Sequence, residues 1–162
     1  MTHLSLLHQT MTMDIHVAIA ILTQGNKVLM QLRDDIPNII YPGHWGFFGG
    51  HLETGETPKI ALEREIMEEI SYRIPTSQTH LFGVYSDRLN TDSTRNVHRH
   101  VFQAPLTVAI TELQLNEGWD MALLTRENAL EGGAYSKKAA QWRPMPGIHQ
   151  RILTDFFNQY ED

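Results

Sequence analysis

Residues Gly49–Tyr72 read GGHLETGETPKIALEREIMEEISY, and this stretch contains the most informative pattern in the chain. Thr57 can cap a helix that begins at Pro58, and the apolar residues that follow recur at helical spacing. We therefore predict a helix over Thr57–Ile70. Its expected buried stripe consists of Ile60, Ala61, Ile66 and Ile70. The glycine pair before the helix predicts a bend where backbone closely approaches other groups.

Three glutamates of this helix stand at positions i, i+3 and i+4, which places Glu65, Glu68 and Glu69 on one face. Carboxylates at this spacing repel one another and raise one another's pKa, so a compensating cation is expected. Mg²⁺ and Mn²⁺ prefer oxygen ligands of this kind. A solvated acidic face is the alternative. The glycine bend, the capped helix start and the third carboxylate favour the metal site.

Charged residues near these carboxylates predict a supporting ion-pair network. Arg64 lies on the same helix, and Glu53 and Glu56 come just before it. Ion pairs among them would orient the face that carries the three glutamates. The carbonyl groups of the Gly49–Gly50 bend provide a candidate backbone ligand.

The spacing of these residues resembles the signature of the Nudix hydrolases, which is G-x5-E-x7-R-E-U-x-E-E-x-G-U, with U an aliphatic residue. The matching residues are Gly50, Glu56, Arg64, Glu65, Ile66, Glu68 and Glu69. The upstream Trp45–Gly50 segment (WGFFGG) is similar to the family's W-x-x-P-G-G lead-in. Three positions depart from the pattern: Phe48 replaces proline, Ser71 replaces glycine and Tyr72 replaces the aliphatic residue.

The resemblance implies an α/β (α+β) fold, an α/β/α sandwich with a mixed β-sheet. It implies a Mg²⁺- or Mn²⁺-dependent hydrolase that cleaves the pyrophosphate linkage of a nucleoside diphosphate joined to another moiety (NDP-X). The implied metal ligands are Glu65, Glu68, Glu69 and the Gly49 carbonyl. Glu56 and Arg64 are the implied pair that orients the helix.

The general base varies within the family, so the resemblance leaves it open between a helix glutamate and an acid on a distant loop. Glu117 and Asp120 are the loop candidates, and an ordinary surface turn is the alternative for their segment. The downstream marks of ADP-ribose, dinucleoside polyphosphate and NADH hydrolases are absent. Nucleoside triphosphates, oxidised nucleotides and nucleotide sugars therefore remain open as substrates. The three departures from the signature motivate another function, a nucleotide-binding sensor with this fold and little turnover.

Several residues outside the signature are candidate substrate contacts. Arg33 and Arg99 lie on predicted strands and could touch phosphates, with ordinary surface pairing as the alternative. A base could stack on Trp45 or Tyr85, although each aromatic is also a candidate core residue. His98 and His100 alternate on a strand and so share a face, which could bind a metal or a phosphate or could be a partly exposed face.

The remaining periodicity predicts further elements that are interspersed along the chain, which indicates a mixed sheet. The predicted strands are Ile15–Thr23, Lys27–Arg33, Trp45–Leu52, Leu81–Ser86, Val97–Val108 and one or two within Glu112–Leu124. The other predicted helices are Thr125–Leu130 and Ile148–Tyr160.

Composition limits the class of protein. The chain has 162 residues, 13 Lys+Arg, 19 Asp+Glu and no cysteine, so its net charge is −6. This charge argues against nucleic-acid binding, and the missing cysteines exclude disulfides and thiol catalysis. No apolar run approaches the length of a membrane span, and we expect a cytoplasmic protein.

The length fits one domain, which we place at 14–162. Residues 1–13 are expected to form a flexible N-terminal extension or to precede a later natural start. Because Nudix relatives are often homodimers, the resemblance also implies a homodimer.

Overall fold

The computed structural model describes residues 14–89 and 94–160. The predicted N-terminal extension over 1–13 lies outside them. The strands are β1 (Ile15–Gln24), β2 (Lys27–Leu32), β3 (Trp45–Gly46), β4 (Phe48–His51), β5 (His80–Arg88), β6 (Asn96–Pro105), β7 (Asp120–Leu124), β8 (Gly133–Ser136) and β9 (Gln141–Pro144). The α-helices are α1 (Pro58–Ile70), α2 (Arg126–Glu131) and α3 (Gly147–Asn158).

The first seven strands form one mixed sheet. Its main path has the order β3-β2-β1-β6-β5, while β4 pairs with β1 and β7 pairs with β2. β1 and β6 run parallel, and the other pairs are antiparallel. The two strands β8 and β9 form a separate antiparallel hairpin. The predicted mixed sheet is therefore confirmed.

Strand β1 is buried on both faces. Its side chains point alternately to the two faces of the sheet, and apolar residues occupy the positions on each face. Ile19 and Ile21 pack in one core with residues of α2 and α3. Ala18 and Leu22 pack in a second core with residues of α1. Helices therefore cover both faces of the sheet, which confirms the α/β/α sandwich.

Helix α1 begins as predicted, because the Thr57 side chain accepts a hydrogen bond from the Ile60 N–H. Its buried residues are Ala61, Leu62, Ile66, Glu69 and Ile70. The prediction that Ile60 is buried is wrong, since 54% of this residue is exposed. Ile60 lies two residues from Leu62, and about 100° of rotation per residue turns it away from the sheet.

The helix ends at Ser71, which caps it in the left-handed conformation with φ 54° and ψ 38°. A side chain is strained in this conformation by about 1 kcal/mol, and glycine is not. Ser71→Gly is therefore expected to raise the free energy of unfolding by up to about 1 kcal/mol. Thermal unfolding tests this, with Ser71→Ala as the control. A glycine variant no more stable than the alanine variant would contradict the prediction.

Other element boundaries differ from the predicted ones for local reasons. The single strand predicted at Trp45–Leu52 is divided into β3 and β4 at Phe47. The stretch predicted to hold one or two strands holds β7, and Ile110–Glu112 forms a 3₁₀ turn. Strands β8 and β9 were not predicted, because each has four residues and lacks a strong apolar alternation. None of the helices in the described ranges has both the length and the apolar character needed to span a bilayer.

Candidate active site

Glu69 connects α1 to two strands of the sheet. Only 3% of this residue is exposed. Its Oε1 accepts a hydrogen bond from the Gly49 N–H at 2.8 Å, and its Oε2 accepts one from Gln31 Nε2 at 3.1 Å. Because Gln31 lies on β2 and Gly49 lies on β4, the carboxylate occupies a fixed position beside the glycine bend.

The surroundings of Glu69 disfavour its negative charge. Burial is the main cause and raises its pKa to about 8, while the hydrogen bond from Gly49 opposes the shift. The charges of Glu65 and Glu117 raise the pKa further. A buried carboxylate of this kind is stabilised by a nearby cation.

The glycine bend brings backbone close to the α1 carboxylates. Gly49 has φ 143°, and a Cβ there would overlap the backbone of Ala18. A Cβ at Gly50 would overlap the carboxylate of Glu65. Both positions therefore require glycine if β4 is to lie against β1 and against Glu65.

Arg64 holds several carboxylates together. Its Nε and Nη2 donate to the two oxygens of Glu56, each at 2.8 Å, and Nη1 donates to Glu65 Oε1 at 2.8 Å. Nη1 also lies 3.5 Å from Glu68 Oε2 and 3.8 Å from Glu53 Oε1. The Arg64 guanidinium lowers the pKa of Glu56 to about 2. This network corresponds to the supporting ion-pair network that the sequence predicts around the three glutamates.

The oxygen atoms near the glycine bend are suited to a hard divalent cation. Among residues 14–89 and 94–160, no three His, Asp or Glu side chains already surround one point that could hold a metal. Glu65 and Glu69 nevertheless both lie at the bend, and the Glu68 side chain is 57% exposed on the same helix. This donor set, in which Glu69 is buried beside further carboxylates, fits Mg²⁺ or Mn²⁺ chemically.

A cavity of about 490 Å³ opens from the glycine bend. Glu65 and the two glycines line it together with Arg33 and Arg99. Its apolar wall includes Ile15, Val17, Ile39, Phe47 and Val97. A cavity of this size, with apolar walls and a few polar groups, can enclose most of a nucleotide-sized molecule.

Arg33 also borders a second cavity, of about 390 Å³, which Gly49, Glu69 and Glu117 line. Its Nε is buried without a hydrogen-bond partner in the described structure. Burying an unpaired N–H costs free energy, so the Arg33 Nε–H is available to donate a hydrogen bond to an acceptor on a ligand. Arg99 is already paired with Asp87, and only 8% of Arg99 is exposed.

The two candidate loop acids have different surroundings. Glu117 is exposed and lines the second cavity with Glu69. Asp120 is buried, and its Oδ2 accepts a hydrogen bond from Ser136 Oγ at 2.7 Å. Asp120 therefore connects β7 to β8, and Glu117 is the loop acid beside the α1 carboxylates.

Neither predicted stacking residue presents a free ring face. Trp45 has no exposed surface, and its Nε1 donates to the Ala134 carbonyl at 3.0 Å. Tyr85 donates to Asp155 at 2.8 Å, and its ring lies against Arg151 and Phe82. Trp45 lies in the core, and Tyr85 is partly buried and packs against it, so we assign both residues their alternative, structural interpretation.

His98 and His100 share a face of β6, as expected, and His16 of β1 lies beside both. His16 Nδ1 is 3.0 Å from His100 Nε2, and the rings of His16 and His98 stack at 4.8 Å. His98 also contacts Asp14. Because 82 residues separate His16 from His98 along the chain, the sequence alone did not suggest this contact.

Two residues that line or support the site were not selected from the sequence. Gln31 is a buried polar residue within the apolar strand β2, and this pattern was a usable signal. His149 lies in the first turn of α3 and lines the cavity beside Phe47. It is one of nine scattered histidines, and no motif distinguishes it.

The three departures from the signature all have structural explanations. Phe48 is fully buried in the core beneath α1. The Tyr72 hydroxyl donates to the Pro105 carbonyl at 2.8 Å and accepts from the Thr107 N–H at 3.1 Å. Ser71 caps α1 as described above. None of the three substitutions removes a charged group from the site.

Comparisons with known proteins agree with this architecture. The sequence model of the NUDIX domain matches residues 13–144. A nucleoside triphosphatase, NudI of Enterobacter sp. (strain 638), is 31% identical over 94 residues, which are 55% of this chain and 67% of the relative. The solution structure of the E. coli ORF135 protein has a TM-score of 0.68 at 23% identity and covers 90% of this chain and 89% of its own. The MutT protein of Methanosarcina mazei Go1 has a TM-score of 0.67 at 19% identity and covers 90% and 94%.

Proposed function

The chain belongs to the Nudix family and is a Nudix hydrolase, and we propose that it is a Mg²⁺- or Mn²⁺-dependent enzyme that cleaves the pyrophosphate linkage of an NDP-X substrate. The observation that carries this proposal is that the larger cavity reaches the carboxylates at the glycine bend. Glu65 and Gly49 line the cavity, and Glu69 is held beside Gly49. A nucleotide bound there would place its phosphates against the carboxylate-bearing face.

The metal would be held by Glu65, Glu68, Glu69 and the Gly49 carbonyl. When bound, it neutralises the phosphates and stabilises the charge that develops on the leaving phosphate. Arg64 acts through these ligands, since it holds the Glu65 and Glu68 carboxylates side by side.

The remaining charged residues have complementary roles in this proposal. Arg33 lies between the two cavities, where its unpaired Nε can donate to a phosphate oxygen. Arg99 adds positive charge to the wall of the larger cavity. Glu117, beside Glu69, is the group that positions or deprotonates the attacking water.

Nucleoside triphosphates, including oxidised ones, are the substrates we propose first, and nucleotide sugars are the alternative. The name of the Enterobacter relative, a nucleoside triphosphatase, supports this order. The test is release of phosphate or pyrophosphate from a panel of these compounds with Mg²⁺ and with Mn²⁺. Turnover of a nucleotide that depends on metal and is lost in Glu69→Gln would support the proposal. Metal binding without turnover of any nucleotide would instead favour the sensor function.

Arg64→Lys is expected to lower kcat for the substrate that the panel identifies by about 10- to 100-fold. Lysine is a point charge and cannot donate to both oxygens of Glu56 while also holding Glu65. Steady-state kinetics measure the effect, and Arg73→Lys, at an exposed position after α1, is the matched control. Equal kcat in the two variants would show that Arg64 does not orient the carboxylates.

A further inference from the structure

His149 presents one free nitrogen in the larger cavity, and its neighbours fix which one. The Phe47 N–H donates to His149 Nδ1 at 3.3 Å, and the Phe47 ring stacks on the imidazole at 5.3 Å. Nδ1 is therefore the acceptor, so a neutral imidazole carries its proton on Nε2. Within residues 14–89 and 94–160, Nε2 has no hydrogen-bond partner.

The imidazole is neutral at physiological pH. Burial lowers the pKa of His149 to about 3, and the positive charges of Arg99 and Arg33 contribute to this shift. The ring therefore does not act as a cation for phosphate. It offers a fixed Nε2–H donor to a molecule that occupies the cavity.

The polar side chains around this cavity include several donors. Arg33, Arg99 and His149 donate, Tyr41 and His51 can donate or accept, and Glu65 at the glycine bend is the carboxylate among the lining residues of the described chain. A flat base with a carbonyl oxygen would satisfy the His149 donor. A base with an amino group in that position would place donor against donor.

We propose that His149 determines base specificity: its Nε2–H donates to the carbonyl oxygen at C4 of a pyrimidine or C6 of a purine and selects bases with a carbonyl at that position over bases with an amino group there. This inference rests on the proposed function, because it assumes that the cavity holds the base of a nucleotide. The selected class includes nucleotides of uracil, thymine, guanine and hypoxanthine. The disfavoured class includes those of cytosine and adenine.

The test compares kcat/KM for two pairs of triphosphates, UTP with CTP and ITP with ATP, whose members differ by a carbonyl oxygen against an amino group and by the proton on the adjacent ring nitrogen. We expect the wild-type protein to prefer the keto member of each pair by about 10- to 100-fold. His149→Phe keeps a flat ring and removes the donor, so the preference should fall below about 3-fold. The loss is expected mainly in KM, because His149 does not touch the reacting phosphorus.

His149→Gln is the matched control. Phenylalanine removes both ring nitrogens, whereas glutamine keeps an N–H donor near the position of Nε2. Glutamine should retain UTP and ITP turnover better than phenylalanine and should improve CTP and ATP, since its amide can also accept. A wild-type preference below about 3-fold, or an unchanged preference in His149→Phe, would overturn the inference and leave the hydrolase proposal standing. Hydrolysis of none of the panel nucleotides would overturn both.

Discussion

Glu69→Gln is expected to lower turnover by about 10³-fold, because a metal at this site would supply several kcal/mol of transition-state stabilisation. Glutamine has nearly the same shape, and its carbonyl oxygen can still accept from the Gly49 N–H. Its neutral amide binds a hard divalent cation less well than a carboxylate does. Its amide nitrogen then faces Gln31, whose side-chain amide must turn so that its oxygen accepts in place of donating. With that local adjustment the substitution removes charge from the site and keeps the fold.

Single-turnover and steady-state kinetics at saturating Mg²⁺ measure this loss. Glu63→Gln makes the same chemical change at a glutamate of α1 whose Oε1 accepts from Thr76 Oγ, and it should leave kcat within about 3-fold. Turnover near the wild-type value in Glu69→Gln, with the substitution verified by mass, would remove Glu69 from the catalytic machinery.

The metal-free protein is expected to lose stability relative to Glu69→Gln as the pH rises from 5 to 9. The pKa of Glu69 is about 8 in the folded protein, above its ordinary value of 4.5. The folded state therefore binds this proton more tightly than the unfolded state. The favourable contribution of Glu69 is fully present below about pH 4.5 and is lost as the pH rises through 8, by on the order of a few kcal/mol.

Urea unfolding in EDTA at pH 5 and pH 9 measures this effect as a difference between the wild-type and Glu69→Gln proteins. The comparison cancels the titration of groups that the two proteins share. Glu63→Gln is again the control for a Glu-to-Gln change on α1. Mg²⁺ should restore wild-type stability at pH 9, by about 2.7 kcal/mol at 100 times its Kd. A pH-independent difference between the wild-type and Glu69→Gln proteins would contradict the prediction.

The fold was largely predictable from local signals. Thr57 and Pro58 indicate the start of α1, and β-branched residues indicate β1. The errors have local causes as well. Ile60 is apolar, but its angular position on α1 turns it to solvent, and β8 and β9 are too short for periodicity to detect.

The site was predictable only where its residues are close in sequence. Glu56, Arg64 and Glu65 lie within ten residues, with Glu56 just before α1 and the other two on it, so short-range geometry brings them together. Gln31 approaches Glu69 from another strand, 38 residues away. Helical periodicity carries no information about such a contact.

The sequence by itself determined the family resemblance, which implied the α/β/α sandwich, and the face of α1 that carries the three glutamates. The signature and the shared helix face depend on short-range spacing, and backbone geometry converts helical spacing directly into structure. Only the tertiary structure decided that Glu69 is buried with a raised pKa, that Trp45 belongs to the core, and that His149 enters the cavity. Burial and hydrogen-bond partners depend on which distant segments pack together, and the spacing of residues within one helix or strand does not specify that.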